Sequence, residues 1–519
     1  MNAVFLAGGA LAIFLLVHLV PWLFDVHGIR SVPGPFLAAF SDLWLGRVAA
    51  AGYRSEIVHD VHQQYGPIVR IAPNHISIAD PTALQVIYAH GNGTLKSDFY
   101  DAFVSIERGL FNTRDRAQHA RKRKIVSHIF SQKSVLEFEP HVREYVKTLL
   151  HEWEGLFKKA AQGLSGTEGE GWLGRDGRLW LDCLPWFNYL AFDIIGDLAF
   201  GRPFGMLVAA RDAADVALTD DGKSKLVSFP AVKILNERGE FSASMGVLPP
   251  WCRPYVKKLI PWYRRGGAAV SHLAGIAIAA VTKRLDQGDY RVDLLSKLQE
   301  GKDDDGNPMG RAELTAEALT QLIAGSDTTS NSSCAIAYYL AANQAVQAKL
   351  HKELDEVFGS EDDPVATFDI VKRLPYIEAV INETLRIHST SGIGLPRIVP
   401  SGGLMAGGRF FTEGTILSVP SYTIHRDPAI WGQDVDAFRP ERWFECNAEA
   451  IQRTFNPFSY GPRACVGRNL ASMELLIIVA SVFRRFHFVL EEPEKKLEMR
   501  EGFLRKPLAC KVGIKVRDV

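Results

Sequence analysis

The apolar positions of this chain change their period several times, and each change marks an element. From Ala3 to Phe24 the residues are apolar almost without a break. Roughly twenty such residues are what a helix needs to cross a bilayer. The run has no charged start and ends on bulky Trp22, Leu23 and Phe24, unlike a cleaved signal peptide. A membrane anchor over residues 1–24 is expected, and Arg30 and Arg47 behind it place the bulk of the chain in the cytosol. Ser31-Val32-Pro33-Gly34-Pro35 predicts a stiff hinge over 25–36. No later linker divides residues 37–519.

Period two appears at Ile68, Val69 and Ile71, then at Ile76 and Ile78 around Pro73-Asn74, predicting two short strands. Asp80-Pro81 is a helix start. Arg114 to Lys133 is a basic helical segment centred on Arg121-Lys122-Arg123-Lys124. Ala161 to Arg178 is rich in glycine and polar residues and predicts a mobile loop. It holds a formal GxGxxG at 169–174, but no apolar strand precedes it and no periodic helix follows at once. A dinucleotide site is rejected there, so any NADPH must be bound by a partner. Trp186 to Gly201 is apolar nearly all round and closes on glycine, the pattern of a buried, capped helix. The longest helical stretch runs from Ala312 to Phe358. Strands return at Ile416–Ser421 and within Phe503–Val516, and His425-Arg426-Asp427-Pro428 reads as a turn with a structural histidine. The fold class is mainly α, with a small β-rich portion.

Composition narrows the function classes. The chain has 519 residues with 59 basic and 59 acidic side chains, so no net charge points to nucleic acid. The six cysteines, Cys183, Cys252, Cys334, Cys446, Cys465 and Cys510, form no C-x-x-C pair. Neither a zinc site nor a disulfide framework is indicated, and scattered single thiols suit a reducing compartment. The N-x-S/T triplets at Asn92, Asn331 and Asn382 carry no meaning for a domain facing the cytosol.

The densest chemistry lies in Phe458–Gly467, FSYGPRACVG. Gly461, Pro462 and Gly467 suit a tight loop that approaches something flat. Arg463 stands where it can meet an anion and favour the thiolate of Cys465. A single thiolate on a glycine-rich loop at a helix start suits a haem iron. The second stretch is Ala324-Gly325-Ser326-Asp327-Thr328-Thr329. Its hydroxyls compete for helix carbonyls, so a helix opened at its middle is expected. The third is E-x-x-R at Glu383–Arg386, with both side chains on one helix face, joined to Pro440-Glu441-Arg442-Trp443.

These motifs, in this order, resemble the cytochrome P-450 monooxygenases over nearly the whole chain after Pro33. The resemblance implies haem b (iron protoporphyrin IX) with Cys465 as metal ligand, and a loop formed with Phe458, Arg463 and Gly467. It implies propionate contacts from Arg123 and Arg397, and from His119 where the family usually has tryptophan. Thr328 would serve oxygen activation and Asp327 would feed it protons. Glu383, Arg386 and Arg442 would form a buried cluster serving folding and haem retention. An NADPH-dependent flavin reductase would dock near Cys465, with the basic segment as a candidate docking face. The anchor would hold the protein at the endoplasmic reticulum membrane.

The pocket is expected from the segment after Lys96, from Ile323–Thr328, Ser389–Leu395 and Gly502–Leu504, whose aromatics and hydroxyls suit a small polar aromatic. KSDFYDAFVSIERGLFNTRDRAQHARKRKIVSHIFS, WFNYLAFDIIGDLAFGRPFGML, GRAELTAEALTQLIAGSDTTSN and REGFLRKPL resemble the fungal benzoate para-hydroxylases of this superfamily. That implies dioxygen and a small aromatic carboxylate as substrates. Ser97, Tyr100 and Ser391 are the candidates to hold the carboxylate. Turnover of other small aromatics, and haem-thiolate sensing without oxygen activation, stay open as alternatives.

Overall fold

The computed structural model describes residues 2–220, 223–286, 293–303, 305–359 and 363–517. At its centre runs the helix Arg311–Ala342, packed along the helix Cys183–Phe200. The second helix is buried at nearly every position because its sequence is apolar all round. Asp182 starts it by accepting from the Leu184 N–H at 3.1 Å, and Gly201 ends it at φ +75°. The two helices approach closely at Gly325, where a Cβ would lie 2.8 Å from Ile195. That glycine serves helix packing.

Two expectations about the central stretch change. The helix stays continuous through Ala324–Thr329. The hydroxyls bond back one turn, Ser326 to Leu322 O and Thr328 to Ala324 O, each at 2.6 Å, without opening the ladder. The break comes later, at Asn343 (φ −117°, ψ 77°), before a separate helix Gln344–Phe358. The backbone N–H of Asn343 still donates to Tyr339 O at 3.0 Å, and its side-chain amide donates to the same carbonyl at 2.8 Å, closing the end of the helix.

Among the described residues the strands form one five-stranded sheet, one four-stranded sheet and three two-stranded ribbons. The first runs Ile68–Ala72, His75–Ile78, Ile416–Ser418, Arg397–Ile398, Leu95–Lys96. It draws strands from both ends of the chain and thereby sets Lys96 opposite Arg397. The second runs Phe486–Leu490, Lys511–Val516, Arg178–Asp182, Trp172–Arg175. The expected mobile loop is therefore shorter: Trp172–Arg175 pairs with Arg178–Asp182 as a hairpin. Its two central glycines and flanking charges had hidden the alternation.

A helix covers Asn2–Phe24. The segment behind it is tied down: Arg70 N–H donates to Pro33 O at 2.8 Å, and Arg409 reaches Gly28 O and Ser31 Oγ at 3.0 Å. Among the described residues one helix, Pro261–Asp286, is long and apolar enough to cross a membrane. It packs against the Ala231–Gly246 helix and the central helix, as a core helix does.

Candidate active site

The Phe458–Gly467 loop is held by its backbone. Cys465 N–H donates to Phe458 O at 2.8 Å. Gly461 takes φ +74°, and a Cβ there would sit 1.8 Å from Tyr88 O, so only glycine fits. A Cβ at Gly467 would meet only Phe130, at 3.9 Å. The helix Arg468–Arg485 starts directly behind the loop. The thiol of Cys465 opens onto a cavity. Burial pushes its pKa up, while the Gly467 N–H and the charge of Arg123 oppose the rise.

That cavity comprises about 860 Å³ of atom-free space, part of it open to solvent. Cys465, Val466, Gly467 and Leu470 form one wall, and Ala324, Gly325 and Thr328 form the other. Lys96, Arg123 and Arg463 stand at its edge, with His119 among them. Lys96 is buried; its ammonium donates to Phe111 O and lies 4.4 Å from the Tyr100 ring centroid. Arg123 donates to Ala464 O at 2.6 Å, and Arg463 to Thr113 O at 2.6 Å. Arg397 sits behind Lys96, donates to Tyr100 Oη at 2.8 Å and leaves Nη2 without a partner. Among the described residues none of these four cations has a carboxylate within salt-bridge distance.

Burial, then the charge of Arg397, pushes the pKa of Lys96 well down. Burial, then Arg463 and Lys96, pushes His119 down to about 3, so its imidazole is neutral and keeps one N–H to donate. Uncompensated buried cations are costly. A flat ligand bearing two carboxylates, with an iron for the thiolate, answers both features, so the residues present fit haem. Lys96 is the contributor that sequence reasoning missed. Nothing in its local sequence shows that it is buried and unpaired.

The basic helix Arg116–Ile129 divides its charges. Arg121 and Lys122 both pair with Glu313, Arg123 faces the cavity, and Lys124 is exposed. Behind the loop, Glu383 accepts from Arg386 Nε and Nη2 at 2.9 Å and from Arg442 Nε at 3.2 Å. Trp443 donates to the same carboxylate at 3.1 Å. All three charged side chains are fully buried. Arg386 also donates to His425 O at 2.8 Å. His425 Nε2 accepts from Asn456 N–H at 3.1 Å, and burial pushes that histidine down to about 3.

A second cavity of about 940 Å³ adjoins the first. Phe111, Thr320, Ala324 and Thr328 line both. Phe103, Phe111 and Phe503 form an edge-to-face wall with ring centroids 5.0–5.5 Å apart. Asp327 faces this second space beside Lys506. Burial raises the carboxyl pKa of Asp327, opposed by the charge of Lys506 and by the amide of Asn331, which donates to it at 3.3 Å.

The expected carboxylate anchors lie elsewhere. Ser97 accepts from Phe99 N–H at 3.3 Å and caps the short helix Asp98–Phe103. The hydroxyl of Tyr100 is engaged by Arg397, beside the first cavity's cations. Ser391 lines neither cavity, and the same holds for the rest of Ser389–Leu395. Ile393 instead packs with Phe99, Tyr100 and Phe103. The Ser97 and Tyr100 hydroxyls thus accept from neighbouring protein groups. The cysteines also hold a surprise. Cys183, Cys334 and Cys510 place their sulfurs within 4.8 Å of one another, away from both cavities, as small buried apolar side chains do.

Comparison with known proteins agrees with this geometry. The cytochrome P450 family model matches residues 32–514. A benzoate 4-monooxygenase of Aspergillus niger is 51% identical over 98% of this chain and 96% of its own length. Cytochrome P450 monooxygenases of Penicillium crustosum and Penicillium aethiopicum are 32% and 29% identical, over 95% and 99% of this chain and 92% and 99% of theirs. A cysteine loop facing a continuous helix across a cation-rimmed slot, together with this match along almost the entire sequence, establishes that the chain belongs to the cytochrome P450 family.

Proposed function

We propose that this monooxygenase hydroxylates benzoate at the para carbon, giving 4-hydroxybenzoate. The observation that carries the reading is the 51% identity, spread over both chains, to a benzoate 4-monooxygenase. An aromatic-walled second cavity next to the thiolate supports it. In the overall reaction one oxygen atom of dioxygen enters the ring and the other leaves as water. NADPH supplies two electrons through a flavin reductase, and two protons are consumed at the oxygen, one from NADPH oxidation and one from solvent.

Cys465 would hold the haem, which would supply an oxygen-activating iron whose thiolate ligation would favour O–O cleavage. The protein supplies the rest. Lys96, Arg123, Arg463 and Arg397 neutralise the two carboxylates, with the His119 N–H beside them. Phe103, Phe111 and Phe503 confine the ring and exclude water, fixing which carbon faces Thr328. The Thr328 hydroxyl, now donating to Ala324 O, rotates to offer its hydrogen into the cavity. Asp327, half-buried and raised in pKa, passes protons inward from solvent.

The Asn2–Phe24 helix anchors the chain at the endoplasmic reticulum membrane, with the 37–519 domain in the cytosol. The exposed side chains of Phe36, Leu37 and Leu43 near the anchor, and of Trp251, Tyr255 and Leu259, support contact of that face with lipid. The reductase docks on the Cys465 side, where Lys124 and the exposed end of its helix offer positive charge.

The test is a benzoate titration of the purified protein followed by turnover with NADPH and a reductase. A benzoate-induced spin shift and 4-hydroxybenzoate as product are expected. Turnover of phenols or fatty acids without turnover of benzoate would replace this reading.

A further inference from the structure

We propose that Arg238, seconded by Ser105, holds the substrate carboxylate and thereby directs the para carbon toward the thiolate cavity. The inference rests on the benzoate reading above and names the group that reading leaves unassigned.

Arg238 lies on the Ala231–Gly246 helix and is 6% exposed. It lines the second cavity and not the first. Only one of its nitrogens is engaged: Nη2 donates to Phe103 O at 3.0 Å and to Ser105 Oγ at 3.3 Å. Its Nε is buried and has no partner. Among the described residues it makes no ion pair, although Glu107, Glu240 and Asp327 line the same cavity. Glu240 is held by Arg500 at 2.8 and 2.9 Å.

A guanidinium stripped of water with no counter-charge is costly unless a ligand completes it. Its Nε and Nη1 can each still donate one hydrogen bond to a carboxylate oxygen. Ser105 accepts from Arg238, so its own hydroxyl hydrogen is free to donate to the same anion. Lys506 is the other cation in this cavity, but the charges of Asp327 and Glu240 already act on it. The unanswered charge is that of Arg238.

The position fits the reaction. Thr320, Ala324 and Thr328 form the boundary between the cavities, and Arg238 lies off that boundary. Arg238 and Thr328 line the same cavity, so a benzoate with its carboxylate on Arg238 is assigned an orientation with its para carbon toward that boundary.

The test compares ligands and variants in the haem-loaded protein. In the unaltered protein benzoate is expected to bind at least tenfold tighter than benzamide, which has the same shape and no charge. Arg238→Gln should weaken benzoate binding by roughly tenfold to a hundredfold, the range of a hydrogen bond to a charged group. It should leave methyl benzoate within threefold and spread the product over ortho and meta positions. Arg238→Lys, which keeps the charge, should fall between the two. Unchanged benzoate affinity in Arg238→Gln with an intact carbon monoxide spectrum would overturn the assignment alone. Equal affinity for benzoate and benzamide in the unaltered protein would overturn it even if neither variant folds. No benzoate spin shift in the unaltered protein would overturn both this assignment and the reading beneath it.

Discussion

Lys96 and Arg397 face one another across two short paired strands, and among the described residues neither meets a carboxylate. Two like charges have been brought together in a buried place. The arrangement makes sense for a protein completed by a dianion. Replacing Lys96 with methionine keeps the apolar stem and removes the charge. The variant is expected to lose haem at least tenfold faster, measured by haem transfer to an acceptor protein.

The apoprotein of the same variant should move the other way. The folded-state pKa of Lys96 is lowered from 10.5, so the unfolded chain keeps a proton that the folded chain has released. Stability of the unaltered apoprotein therefore rises with pH in the window below 10.5. Lys96→Met should be more stable at neutral pH by on the order of 1–3 kcal/mol. Its advantage should shrink as pH approaches 10.5, read from urea unfolding at several pH values.

Glu474 offers a second titration. It is buried on the helix Arg468–Arg485, at the wall of the first cavity, accepts from Thr329 Oγ1 at 2.8 Å, and burial pushes its pKa from 4.5 up to about 7. Here the folded state holds the proton longer than the unfolded chain, so stability falls as pH rises between 4.5 and 7 and levels off above. Glu474→Gln keeps the acceptor and cannot ionise. It should flatten that slope and, above pH 7, exceed the unaltered protein by up to ~3 kcal/mol. Identical pH–stability curves would contradict the assignment.

Thr328→Ala removes the hydroxyl at the boundary between the cavities. NADPH consumption should continue while peroxide replaces most of the hydroxylated product. The ratio of product to NADPH consumed is the measurement. Asp327→Asn should lower turnover by about a hundredfold with benzoate affinity retained. Full coupling in the threonine variant would refute its role in proton delivery.

Gly461→Ala places a Cβ 1.8 Å from Tyr88 O at a backbone angle of +74°. No rotamer change relieves a backbone contact, so the cost exceeds ~3 kcal/mol. The variant should express without the thiolate-haem spectrum, and Gly467→Ala, which meets no protein atom closer than 3.9 Å, should fold.

What the sequence made readable was local. Phe458–Gly467 shows its chemistry because the cysteine, the arginine and the turn glycines are contiguous. The Glu383–Arg386 pair and Arg442 could be joined because each sits in a short recognisable pattern. The strands around Pro73-Asn74 and the buried helix ending at Gly201 followed from periodicity. Other features depend on what is missing from a residue's surroundings. Lys96 and Arg238 matter because no carboxylate reaches them, and an absence of neighbours has no sequence signature. Ser97 and Tyr100 accept from Phe99 N–H and Arg397, and Ser391 lines neither cavity; such partners in space are equally hidden from the sequence. The meeting of Cys183, Cys334 and Cys510 was hidden because three distant elements supply one sulfur each.

The central helix is a wall shared by two rooms. A change at Thr320, Ala324 or Thr328 alters the space for the cofactor as well as the space for the substrate, so such changes are constrained from both sides. Leu235, Asn236, Arg238, Gly239 and Phe503 touch only the second room. New substrate preferences can therefore arise from the Ala231–Gly246 helix and the 502–504 turn while the oxygen chemistry stays as it is. The molecule separates the part that can vary from the part that cannot, and the dividing line runs along one face of a single helix.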